Sequence, residues 1–66
     1  MEKLRQELVN LTNRLFELAE EAEKKAEDTA DAFAEAEFES EKYAFKRSAS
    51  LVLSLKNRID RGEFNV

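Results

Sequence analysis

The chain has 66 residues, with no Cys, no His, no Pro and a single Gly. Fifteen acids against eleven bases leave a net charge of −4. These numbers allow one domain (residues 1–66), exclude disulfides and thiolate or imidazole metal sites, and argue against a nucleic-acid partner. A chain this short has a marginal core, and such chains are usually stapled by a disulfide, a metal or a second subunit. Of these, this composition leaves self-association, so a homo-oligomer is expected. No apolar run approaches the ~20 residues of a membrane span, and the longest reach only three residues, as at Leu51-Val52-Leu53. With no signal-peptide pattern and no Cys, the expected setting is soluble and cytoplasmic, away from membranes.

Ala, Glu, Leu, Lys and Arg dominate, all good helix formers, and nothing before Gly62 breaks a helix strongly. The fold class is therefore all-α. Leu4, Leu8, Leu11, Leu15, Leu18 and Ala22 are spaced alternately four and three apart, which predicts a heptad seam along a first helix over residues 2–27. A second seam, Ala34, Phe38, Glu41, Phe45, Ser48, Val52, Leu55 and Ile59, predicts a helix over 29–61.

Between the seams, Ala22, Ala26 and Ala30 are spaced by four. Two readings follow. A chain reversal at Asp28-Thr29-Ala30-Asp31, with Asp28 capping the second helix and Asp31 three residues on, gives an antiparallel two-helix hairpin. A stutter gives instead one long coiled-coil helix of roughly 90 Å at 1.5 Å per residue. A further break near Glu39-Ser40 is a third possibility. The hairpin is the preferred reading, dimerising into a four-helix bundle. At the far end, Arg58 and Arg61 suit a helix C-terminus, Gly62 suits the left-handed residue after it, and Phe64 is placed to fold back on Ile59 or Leu55.

Apolar residues exceed what the seams need. Val9 and Phe16 flank the first, and Phe33, Leu51 and Leu53 lie off the second. A helix apolar on most sides expects burial on most sides. Val9, Phe16, Leu51 and Leu53 are accordingly the expected self-association residues, with capture of a different protein as the sharper alternative.

Charge is polarised along the chain. Residues 17–41 hold eleven acids and two bases, net −9, residues 42–66 are +4 and residues 1–16 are +1. In a hairpin this makes an acidic tip. Carboxylates at a helix C-terminus are disfavoured by up to ~1 kcal/mol each at low salt, so acids kept there point to use. Glu27, Asp28, Asp31 and Glu35, flanking the turn, are the candidate residues for docking on a basic surface of a larger protein. A solvated helix surface is the plainer account of such a run.

Lys46 and Arg47 beside Tyr43 and Phe45 have the basic–aromatic interleaving of nucleic-acid sites, but helix-surface pairing with nearby acids explains them. Catalysis lacks parts: Ser40, Ser48, Ser50 and Ser54 have no His to serve as base. No enzyme, no cofactor and no metal are expected.

The run from Ala30 to Arg61 has an Ala/Glu-rich start, a Tyr43-Ala44-Phe45-Lys46-Arg47 centre and a Leu55-Lys56-Asn57-Arg58-Ile59 end before Gly62. It resembles small helical proteins encoded by bacteriophages and prophages. That resemblance implies a short accessory protein that binds and redirects or inhibits a host protein. The alternative from the heptads alone is a structural, self-assembling scaffold.

Overall fold

The computed structural model describes residues 2–64. Two helices form, α1 over Glu2–Asp28 and α2 over Ala32–Asp60, and they pack against each other as an antiparallel hairpin. The described chain measures 52 × 16 × 10 Å, so the rod of roughly 90 Å is ruled out. Helix α2 runs without interruption through Glu39 and Ser40.

The reversal differs in detail from expectation. Asp28 is the last residue of α1, not the cap of α2, and α2 begins three residues later than residue 29. Asp31 is the N-cap: its backbone is extended (φ −88°, ψ 115°), and its carboxylate accepts from the Phe33 N–H. Its carbonyl accepts from the Glu35 N–H at 2.9 Å, and its own N–H donates to Thr29 Oγ1 at 3.2 Å. The physical reason is reach. A hairpin needs a few non-helical residues to turn, and the second helix starts where an aspartate can satisfy the N–H two residues on.

At its other end α2 stops as its sequence suggests. Gly62 has φ 78°, Glu63 N–H donates to Arg58 O, and Gly62 N–H donates to Ile59 O. This is the Schellman pairing, which needs a left-handed residue at Gly62. Beyond this turn Phe64 lies back against the last turn of α2. It is 45% exposed and lies under the Arg58 guanidinium, 4.8 Å from the ring centroid.

The contact between the helices is rotated from the expected seams. Leu8, Leu15 and Ala22 face it as anticipated, but Arg5, Thr12, Ala19 and Ala26 join them, while Leu4 and Leu11 are left exposed and Leu18 stays half-buried at the edge. On α2, Lys42, Ala49 and Lys56 stand beside Phe38, Phe45, Val52 and Ile59, in place of Glu41, Ser48 and Leu55. At 3.6 residues per turn this is a roll of roughly 50° in each helix. Two ion pairs fix the register, Arg5–Asp60 at 3.0 Å and Lys42–Glu23 at 4.0 Å. They set Ala19 and Ala26 near the levels of Phe45 and Phe38, and Ala49 near Leu15. Small residues on one helix thus meet large ones on the other, which lets the axes approach and the surfaces interdigitate.

Thr12 is buried in this contact and stays satisfied, its hydroxyl donating to Leu8 O at 2.8 Å. Lys42 lies along the contact with its side chain only 12% exposed and its ammonium carried out to Glu39 at 2.8 Å. That hydrogen bond raises the Lys42 pKa above the ordinary lysine value.

Candidate protein-binding surfaces

The roll leaves large apolar side chains outside. Leu4 and Leu11 are each 46% exposed, Leu51 62% and Leu55 39%. Among the described residues, those that are buried are mostly alanines: Ala19, Ala22, Ala26 and Ala49, with Thr12 and Ile59. The usual order of burial is inverted, since leucine gains more than alanine from leaving water.

Apart from Phe33 and Tyr43 on α2 and Phe64 beyond it, the outer apolar residues fall on two faces. On α1, Val9 and Phe16 lie on one flank of the contact and Leu4, Leu11 and Leu18 on the other. On α2, Leu53 lies on one flank, and Leu51 and Leu55 on the other, because residues two apart point to nearly opposite sides of a helix. The ion pairs identify matching flanks. Glu23, on the Val9–Phe16 flank, reaches Lys42, and Asp60, on the Leu53 flank, reaches Arg5. One face therefore carries Val9, Phe16 and Leu53. The opposite face carries Leu4, Leu11, Leu18, Leu51 and Leu55. The four residues expected to mediate self-association do not share a face: Leu51 is separated from the other three. Leu4, Leu11 and Leu55 were assigned to the seam by their spacing and instead form the wider surface. The signal that marks them is the small-residue row Thr12, Ala19 and Ala26, seven apart and one position round from the leucines.

At the closed end the structure gathers Glu27, Asp28, Asp31 and Glu35, all exposed. Glu27 and Asp28 end α1, Asp31 caps α2, and Glu35 lies in the first turn of α2. Among the described residues none of the four takes part in an ion pair. Asp31 and Glu35 sit where negative charge favours a helix start, whereas Glu27 and Asp28 oppose the dipole of α1.

The open end is tied by charge. Asp60 pairs with Lys56 at 2.7 Å and with Arg5 at 3.0 Å, and Glu63 pairs with Arg61 at 2.8 Å and Arg58 at 3.3 Å. The Lys56 hydrogen bond holds the Asp60 carboxyl below its usual value, with the Lys56 and Arg5 charges adding. The Arg61 hydrogen bond does the same for Glu63, with Arg58 next. Arg5 Nε is screened from solvent and meets Asp60 as a charge, without the alignment of a hydrogen bond.

A shallow depression lined by Phe33, Ala36, Glu37, Ser40 and Glu41 runs along the outside of α2. All five residues belong to one stripe of one helix, so no second element encloses a small molecule there. Phe33, at 86% exposure, is its apolar edge. Among the described residues no three acids, His or Cys gather as a metal site, and no helix is long and apolar enough to cross a membrane.

Comparison with protein-family models, curated proteins and solved structures finds no match to this chain.

Proposed function

We propose that the chain is a non-enzymatic protein-binding module that associates with its own copy through an outer apolar face. One observation carries this reading: the hairpin buries alanines and leaves five leucines about 40–60% exposed, four of them (Leu4, Leu11, Leu51 and Leu55) on one face. Apolar surface gathered on one face of a small chain is characteristic of an interaction site. A chain with no His lacks the base its serines need, which is why the reading is non-enzymatic. Sedimentation across a micromolar range tests it. Assembly to at least twice 7.6 kDa is expected, and a monomer throughout contradicts it.

A second activity is proposed for the closed end: the acidic tip docks on a basic surface of a larger protein, in the manner of a phage-type inhibitor or adaptor. The observation favouring it is that Glu27, Asp28, Asp31 and Glu35 are exposed together and outside the described ion pairs. Capture of partners on tagged protein at low and raised salt separates this from a scaffold role. An adaptor yields one dominant, salt-sensitive partner that is lost on neutralising the four acids. A scaffold yields only further copies of itself.

A further inference from the structure

The wider apolar face has an internal symmetry that identifies its occupant. On α1, Leu4 and Leu18 are each seven residues from Leu11, or about 10 Å along the axis. On α2, Leu51 and Leu55 straddle position 53. The Arg5–Asp60 and Glu23–Lys42 pairs join long side chains, and place position 53 within about a turn of residue 12 of α1. The two rows therefore have their midpoints within about a turn of one another.

A second copy turned end for end about that height brings like helix onto like helix, antiparallel. Leu11 then meets its counterpart on the axis, Leu4 meets Leu18, and Leu51 meets Leu55. A second copy laid parallel brings α1 onto α2 instead. It sets Leu4 at the level of Arg61 and Leu18 at the level of Arg47.

Charge selects the same arrangement. The parallel dimer places two −9 segments side by side. The end-for-end dimer carries each acidic segment away from the other, toward the net-positive open half of its partner, where Lys3 and Arg61 are exposed.

We propose that the Leu4–Leu11–Leu18 and Leu51–Leu55 face docks a second copy of this chain in the end-for-end orientation, making a four-helix dimer whose acidic turns project from opposite ends. This rests on the self-association reading and adds its geometry. The dimer is elongated, and its two turns stand about 50 Å apart, from 1.5 Å per residue between the axis and the turn. Such a molecule offers two identical acidic tips rather than one doubled tip.

Single-cysteine variants test it cleanly, because the chain has no Cys. A disulfide needs Cα atoms within about 7 Å. Leu11→Cys is expected to cross-link under mild oxidation well above a Phe33→Cys collision control. Leu4→Cys alone is expected to match that control, since its two copies stand roughly 20 Å apart. A mixture of Leu4→Cys and Leu18→Cys is expected to give the mixed covalent dimer. Spin labels on Ala30→Cys are expected to report about 50 Å between protomers. Labels within about 25 Å, or Leu4→Cys cross-linking to itself, overturn the orientation but leave self-association standing. Leu11→Cys no better than the control, with no dipolar coupling and monomer sedimentation, overturns both. Circular dichroism of each variant establishes that it is folded.

Discussion

Thr12 is 6% exposed and its neighbour Leu11 is 46% exposed, so the hairpin takes in a hydroxyl and leaves a leucine in water. Adjacent residues on a helix differ by about 100°, so only one of the two can face α2. The threonine faces it because its short side chain lets the helices close, and its hydroxyl is satisfied by Leu8 O within α1. The leucine is released to the outer face. Ala19 is likewise buried beside a half-buried Leu18, and on α2 Ala49 is buried beside an exposed Ser48 and Lys56 half-buried beside an exposed Leu55.

If close approach depends on these small residues, enlarging one must cost stability. Ala49 has no exposed surface. Ala49→Leu is expected to destabilise the protein by about 1–3 kcal/mol, the usual range for overpacking a filled core. Thermal melts at a fixed protein concentration measure this, since association makes the midpoint concentration-dependent. An unchanged or raised midpoint would mean that the helices are not closely packed there.

The turn gives a prediction that separates cap from charge. Asp31→Ala removes the acceptor for the Phe33 N–H and is expected to cost about 1 kcal/mol. Asp31→Asn keeps the acceptor and is expected to cost almost nothing. Urea denaturation compares the pair. Equal losses would show that the carboxylate charge, not the capping geometry, stabilises the start of α2.

Acid should weaken the open end. The Asp60 and Glu63 carboxyls are lowered in the folded chain by their hydrogen bonds to Lys56 and Arg61. A lowered folded pKa means the unfolded chain takes up protons first. The stabilisation is therefore complete above about pH 4 and is lost as pH falls through the lowered folded values. Melting followed from pH 5 down to pH 2 is expected to fall more steeply for the wild type than for Asp60→Asn. Parallel curves would remove these pairs from the pH response.

For the acidic tip, changing Glu27 and Glu35 to Gln and Asp28 and Asp31 to Asn keeps shape and cap while removing charge. Partner association is expected to slow and to lose its salt dependence, because long-range charge mainly steers encounter. Folding should change little, as exposed charges contribute little to stability. Intact partner binding in this variant, together with its loss in Phe16→Ala, would move the site to the Val9–Phe16–Leu53 face.

The hairpin, its all-helical class and the stop at Gly62 were legible because they follow from periodicity and from residues with strong backbone preferences. The rotation of the contact was not. Heptad spacing weighs leucines by hydrophobicity and so places Leu4 and Leu11 inside. The fold weighs them also by size, and only the second helix supplies the phenylalanines that make alanines the better partners. The start of α2 was missed for a related reason: Asp28, Thr29 and Asp31 are all fair caps by type, and the length of the link decides among them. The candidate acidic tip was readable from charge alone. The division of the apolar surplus into two faces needed the register that Arg5–Asp60 and Glu23–Lys42 define.

The most direct measurement is sedimentation of the wild type beside Leu11→Glu and Leu53→Glu. Each variant places a charge on one of the two apolar faces, at leucines 46% and 41% exposed. The wild type and Leu53→Glu are predicted to assemble to twice 7.6 kDa at micromolar concentration, while Leu11→Glu remains a folded monomer. A dimer that survives Leu11→Glu and dissociates on Leu53→Glu would contradict the assignment of the leucine face, and a monomeric wild type would contradict self-association itself.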